Sequence, residues 1–455
     1  MEGRAGAWIG AAACGVVLAA CGVVLSACGN AHPNARSQLI AVSSGSPPAA
    51  APSASVAAPA CVPLDTELPE MVSVAELDLP VPEVLEPGGP VMAPFYEKLA
   101  KLLRGTATDH VRIGVLGDSN MTMDFITGEM RRKLQTRYGD AGHGFIALAK
   151  PWSHYWHRDV YQHESYGYQA YAVSTKPTND GYYGFSGIVA ESMQQGALTS
   201  VGTADPPSKV GLNVGRFDVF YLKRPKAGAF KMKVDGKEVA TIDASASEVG
   251  LGHYRQEVDD GPHRADFVAT NPYPIRFLGV TLEREKPGII VDSLGVGAMN
   301  TRCMTTENAD INQEMLRIRP YDLVVFMTGA NDIYQANDVP TWLKQVIDVY
   351  RGALPDVPII LATPPDRGEY SSFAPTLEII KQRRELAEQF KTGFWSTFEA
   401  MGGDASMSRF TRLRLAYADA VHFTEAGGAW IADRFTYAIW RGFKAYLAEH
   451  PCAGQ

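Results

Sequence analysis

A parallel, doubly wound α/β sheet interrupted by an all-β insert is the fold class this sequence predicts, and three patterns predict it. Short runs of branched apolar residues alternate with amphipathic helical stretches over residues 95–150 and again over 286–448. Between them, residues 151–285 are rich in Tyr, Gly, Ser, Thr and Pro, with short alternating apolar runs closed by turn dipeptides. Polar corners then follow several of the apolar runs, where the chain turns from strand toward helix.

Taken in order, residues 1–28 read as an export leader, with Arg4 the only positive side chain before an apolar run that ends at Ala27. That run closes on Leu25-Ser26-Ala27-Cys28, which resembles the bacterial lipobox, whose cysteine is lipidated and becomes the mature N-terminus. Leu18-Ala19-Ala20-Cys21 resembles it too; Cys28 is favoured because it leaves the longer apolar run before it and a polar tail after it. The alternative is a single anchoring helix, and either way the folded part lies outside the cytoplasmic membrane. Residues 29–60 are dominated by Ala, Ser and Pro, a composition that buries no core and behaves as a tether. Residues 61–94 form an acidic spacer, without Lys or Arg from Cys61 to Pro90, part of which is expected to lie along the folded body.

A helix over about 96–103 delivers the chain to a strand beginning at Val111, and a further helix runs to Tyr138, where Gly139 stops it. In the insert, Phe217–Leu222, Phe230–Val234 and Ile275–Val280 read as strands, with Asp235-Gly236 and Asp260-Gly261 as turns, giving a sandwich or jelly roll. The α/β pattern then resumes with strands at 288–292, 322–327 and 359–362 and helices at 308–318, 341–350, 376–390 and 425–447.

With 455 residues and 46% hydrophobic content the chain has material for more than one core. Its net charge of −8, without a long basic run, excludes nucleic acid as a partner. Removing the leader takes Cys14, Cys21 and Cys28 with it and leaves Cys61, Cys303 and Cys452. A Cys61–Cys452 bridge between the two ends is open at this point. The cysteine and histidine spacings suggest no metal site, and no cofactor is expected.

Four corners carry candidate chemistry. Ser119 follows Val111–Gly117 at a strand-to-helix turn, where a hydroxyl stands above the carboxyl edge of the sheet beside free N–H groups. Alone, the stretch also suits a helix cap. Thr328-Gly329-Ala330-Asn331-Asp332 follows a central strand, and Asn331 can donate an amide hydrogen bond there. Asp419-Ala420-Val421-His422 precedes the last helix, with a gap that lets a carboxylate meet an imidazole. Leu294-Gly295-Val296-Gly297-Ala298 has small residues that let a backbone N–H approach a reacting atom.

In this order, Gly117-Asp118-Ser119, Gly297, Gly329-Ala330-Asn331-Asp332 and Asp419-Ala420-Val421-His422 resemble the blocks of the SGNH (GDSL-type) hydrolases. The resemblance covers roughly residues 95–150 and 286–448 and implies a flavodoxin-like three-layer α/β/α sandwich that cleaves esters. The stretch from Arg131 to Phe145, and a β-rich insert between the first two blocks, are similar to bacterial peptidoglycan and polysaccharide O-acetylesterases.

Carried over residue by residue, the resemblance makes Ser119 the nucleophile, His422 the general base and later acid, and Asp419 the group that orients the imidazole. The oxyanion hole would comprise the N–H of Ser119, a backbone N–H at Gly297 and the amide of Asn331. Two departures stand out. The second block is compressed, so its donor is Gly297 or Ala298, and Ala420 stands where many members have Gly. Asp118 and Asp332 are expected to serve structure by bonding loop N–H groups.

Trp152, Tyr155, Trp156, Tyr161, Tyr166, Tyr168, Tyr171, Tyr182 and Tyr183, with His154, His157 and His163 among them, suit either sugar rings or core packing of the insert. The expectation is a serine esterase, lipid-anchored at Cys28 in the bacterial envelope, that removes O-acetyl groups from a polysaccharide such as peptidoglycan or from a small ester. Acyl transfer to a sugar, and a silent glycan-binding surface lipoprotein, are the alternatives.

Overall fold

The computed structural model describes residues 61–455 apart from 65, 66, 69, 75, 164 and 369. The leader with Cys21 and Cys28 and the tether at 29–60 lie outside the described residues.

Five parallel strands make the central sheet: β1 (Val111–Gly117), β2 (Ile289–Gly295), β3 (Leu323–Met327), β4 (Ile359–Ala362) and β5 (Gly393–Trp395). Their order is β2-β1-β3-β4-β5, the flavodoxin-like arrangement in which the winding direction reverses between β1 and β3. In register, Gly117 stands beside Gly295 on one side and Met327 on the other, so these three strands end at one level. The longer helices are α1 (Ala93–Arg104), α2 (Phe125–Tyr138), α3 (Ala309–Ile318), α4 (Val339–Ala353), α5 (Tyr370–Gln389) and α6 (Glu425–Glu449).

The strands read as mainly apolar runs because both faces are covered, interrupted by Arg112 in β1 and by Asp292-Ser293 in β2. Ile113, Val115, Val291 and Val325 share a core with Leu99 of α1, Met130 and Leu134 of α2, and Trp430 and Phe435 of α6. Leu116, Leu294, Val324 and Phe326 point the other way, onto Met315 of α3, Leu343 and Ile347 of α4, and Leu386 of α5. The three-layer sandwich expected from the sequence is therefore present.

The β-rich portion consists of two antiparallel sheets of six and five strands. Phe217, Val219 and Tyr221 face Phe230, Met232 and Phe267 between the sheets, while Phe220 and Leu222 on the same strand face the core shared with the α/β body. The strand Phe217–Leu222 is thus apolar apart from Asp218, which is held by Arg255 and His253, because it is buried on both sides. Asp235-Gly236 makes the expected hairpin turn, with φ of 50° and 79°. Asp260-Gly261 differs: it ends the strand Gly250–Gly261 after a register shift instead of forming the turn, and Arg284 holds the Asp260 carboxylate. The β-rich portion also starts upstream of residue 151, since Gly144–Ile146 already pairs with Ile275–Glu283.

A buried charge network joins the two portions. Glu283, at the end of the insert, receives Arg112 of β1 at 2.9 Å and Arg319 at 2.7 Å, and Arg319 also reaches Asp292 of β2. Desolvation would raise the Glu283 carboxyl, but the surrounding guanidiniums hold it well below the usual carboxylate range.

The acidic segment lies along the body. Leu77 is buried, the Val72 N–H donates to Asp433 at 2.7 Å, and Leu85 pairs with Phe394, covering the β5 edge of the sheet. Cys61 is disulfide-bonded to Cys452, with Cα atoms 5.3 Å apart, and Cys303 is free.

Candidate active site

Three strand ends and one loop build the site. Beyond β1, Asp118 caps a single turn of 3-10 helix, Ser119–Met121, by accepting the Asn120 N–H at 3.1 Å. That turn lies directly over the strand ends because two neighbours have no side chain. A Cβ on Gly117 would sit 1.9 Å from Met121 Cγ, and one on Gly295 would sit 2.7 Å from the Met121 carbonyl carbon.

The loop before α6 reaches Ser119 because the N-termini of α2 and α6 abut. Gly428 packs on Phe125, where an added Cβ would come within 2.5 Å of the Phe125 Cβ. Thr424 caps α6 through the Gly427 N–H. The result joins residues from opposite ends of the α/β body: His422 Nε2 lies 2.8 Å from Ser119 Oγ, and His422 Nδ1 lies 2.7 Å from Asp419 Oδ2. Asp419 Oδ1 also accepts the N–H groups of Val421 and His422 at 2.9 and 3.0 Å. Burial would raise the Asp419 carboxyl, but the imidazole and these N–H groups together hold it below its usual value. Ala420 takes the left-handed conformation, φ 53°, which a glycine would adopt freely.

Asn120 was not singled out in the sequence, yet it fastens this loop. Its Oδ1 accepts the Phe423 N–H at 3.0 Å and its Nδ2 donates to the Val421 carbonyl at 3.3 Å, so both residues flanking His422 are tied to the serine turn. Only its place beside Ser119 hinted at this.

The other expected site residues fall as follows. Gly297 and Ala298 line the same cleft as Ser119, Asp419 and His422. The Gly297 carbonyl accepts Ser174 Oγ at 2.5 Å, which fixes the 297–298 peptide, and Ala298 is left-handed at φ 55°. Among the described residues, no protein group takes the N–H of Ser119, Gly297 or Ala298. Asn331 follows β3 and is half-buried; its Nδ2 donates to the Met299 carbonyl at 2.9 Å, and it does not line the cleft. Asp332 accepts the N–H and hydroxyl of Thr301, both at 2.7 Å. Burial pushes the Asp118 carboxyl up, against the hydrogen bond from Asn120.

The cleft has a volume of about 760 Å³. Of the aromatic-rich set, Trp152 and His154 line it, together with Lys176, Phe125 and Tyr417. Tyr155, Tyr168, Tyr183 and His157 are buried in the protein, and Tyr155 Oη is hydrogen-bonded to His157 at 2.9 Å. Among the described residues, no group of three or more His, Cys, Asp or Glu is placed to hold a metal ion, and no helix is long and apolar enough to cross a membrane.

Residues 265–430 match the model of the GDSL-like lipase/acylhydrolase family. The matched stretch holds Gly297, Asn331, Asp419 and His422, and most of the antiparallel strands lie between it and Ser119. The chain carries a GDSL-type (SGNH) hydrolase domain and is an ester hydrolase.

A solved structure of a peptidoglycan O-acetylesterase is similar over 80% of this chain and 99% of its own, with 21% identity and a TM-score of 0.67, a shared fold. The salicylyl-acyltransferase SsfX3 from a tetracycline biosynthetic pathway aligns at 14% identity over 65% of this chain and 97% of its own, TM-score 0.28. A family two carbohydrate esterase from Cellvibrio japonicus aligns at 10% identity over 67% of this chain and 98% of its own, TM-score 0.25. No curated protein matches the chain.

Proposed function

We propose that the protein is a serine esterase that removes O-acetyl groups from an envelope polysaccharide such as peptidoglycan, anchored to the envelope through a lipid on Cys28. The observation that carries this reading is the chain of contacts from Ser119 through His422 to Asp419, at 2.8 and 2.7 Å, opening on a cleft lined by Trp152. Its likeness in fold to a peptidoglycan O-acetylesterase supports the choice of ester.

In this mechanism Ser119 Oγ attacks the acetyl carbonyl carbon while its proton passes to His422 Nε2. Asp419 keeps the other proton on Nδ1 and stabilises the imidazolium. The carbonyl oxygen, now an anion, is met by the N–H of Ser119 and by a backbone N–H at Gly297 or Ala298, and the Asn331 amide, one of whose N–H groups is held by the Met299 carbonyl, joins them through its second N–H. Those backbone N–H groups have no protein acceptor among the described residues, which leaves them for the oxyanion. Collapse expels the sugar oxygen, which takes the proton from Nε2, and leaves acetyl on Ser119. Water, activated by the same nitrogen, releases acetate. The His422 and Asp419 side chains are 40% and 48% exposed, so water reaches the acyl-enzyme, which favours hydrolysis over transfer to a second sugar.

The test is acetate release from O-acetylated peptidoglycan by the wild-type protein and by Ser119→Ala. Release by the wild type alone supports the assignment. Equal release by both overturns the role of Ser119, and acetylated oligosaccharide in place of acetate points to transfer.

A further inference from the structure

Beside the cleft lies a second hollow of about 580 Å³, and the two share a wall. Thr175 and Lys176 line the cleft while Pro177 and Thr178 line the hollow; Gly297 and Ala298 line the cleft while Asn300 and Arg302 line the hollow. Neighbouring residues of the same two segments thus face both spaces, which places them side by side along the surface.

Their chemistry differs. Phe125, Trp152 and Phe423 give the cleft apolar walls. The hollow presents Asn179, Asn300, Arg302 and Gln335. Its one carboxylate, Asp180, is already held by Arg276 at 2.6 Å. Arg302 is exposed and forms no ion pair among the described residues, so the charge left for a ligand is positive. Next to Gln335, Tyr334 is 79% exposed and offers an aromatic face on the same loop.

We propose that this hollow is a second glycan subsite, which takes the sugar neighbouring the acylated one and binds a carboxylate on that stretch through Arg302. This rests on the polysaccharide reading above and narrows it to glycans that carry carboxylates. A guanidinium suits the task because its planar fork meets both carboxylate oxygens, whereas an amide or hydroxyl meets one. Because the site is open to solvent, the attraction weakens with salt.

The experiment compares kcat/KM of the full-length protein on O-acetylated glycan fragments of several sugars with free carboxylates against kcat/KM on 4-nitrophenyl acetate. The ratio of the two is taken within each variant, so partial misfolding cancels. In Arg302→Glu the ratio falls about tenfold, mainly through KM on the glycan, equivalent to about 1.4 kcal/mol. Arg302→Lys keeps the charge but not the fork and restores only part of it, and added salt narrows the difference. An unchanged ratio in Arg302→Glu, with wild type active on the glycan, overturns the subsite and leaves the polysaccharide reading standing. Wild type that hydrolyses 4-nitrophenyl acetate but no glycan overturns both.

Discussion

Replacing Asn120 by Ala removes the two hydrogen bonds that hold the backbone on either side of His422 to the serine turn. Of the two, the 3.0 Å bond from Phe423 is of ordinary length and the 3.3 Å bond to Val421 is long, so the pair is worth about 1–2 kcal/mol to the fold. The effect on rate is larger than the effect on stability. His422 Nε2 must sit at 2.8 Å from Ser119 Oγ, its other ring contact is to Asp419 on the same exposed loop, and a displacement of about 1 Å in such a group can cost about 10²-fold. Initial rates on 4-nitrophenyl acetate are therefore expected to show kcat lowered about 10- to 100-fold with KM within about threefold, and thermal unfolding lowered by only a few degrees. A folded Asn120→Ala protein with kcat within about threefold of wild type refutes the reasoning, as does a loss confined to KM.

Asn331→Ala should lower kcat on the same ester by about 10²–10³-fold if its amide meets the oxyanion; a fall of less than about fivefold would leave the anion to backbone N–H groups alone. Asp124, paired with Arg131 inside the protein, and Glu283, among its arginines, are both held below their ordinary range. A depressed carboxyl contributes stability that is complete above its unfolded value and is lost as pH falls, so these two pairs should make Tm decline below about pH 5, whereas above it the buried Glu307, pushed up to about 8, and the depressed His143 and His157 act in opposite directions. A Tm that holds to pH 3 contradicts the pairing. Cys452→Ser, which frees Cys61 and the segment lying on β5, should cost about 2–5 kcal/mol in denaturant titration and expose residues 61–92 to protease. Equal resistance in both proteins would show that packing alone holds the segment.

The parts of this protein that were legible in its sequence are those written locally. β1, β3 and β4 are branched apolar runs ended by glycine or polar residues, and a parallel sheet buried on both faces demands such runs. The serine and histidine corners lie within a few residues of a strand end or a helix cap, so local pattern places them, and the four blocks in order supply their roles through the family resemblance. What escaped depends on contacts across the chain. β5 has three residues, too few to show a period, and it is a strand only because β4 and Leu85 lie beside it. The course of the acidic segment is fixed by the disulfide and by Asp433 on α6, hundreds of residues away. Asn120 is indistinguishable from a turn residue until the loop at 421–423 is seen against it. The crowd of insert aromatics divides into cleft, core and exposed surface, where Trp156 and Tyr166 lie, only once the two antiparallel sheets are stacked, because an aromatic side chain suits each environment.

The central claim is that Ser119 forms the covalent bond to the acyl group, and active-site labelling tests it most directly. Incubation with a fluorophosphonate, followed by intact-mass and peptide mass spectrometry, should add one label at Ser119 as esterase activity disappears, and should add none in Ser119→Ala or His422→Ala. A Ser119→Ala protein that still hydrolyses esters at the wild-type rate, or a wild-type protein inactivated with its label on another residue, would contradict the account.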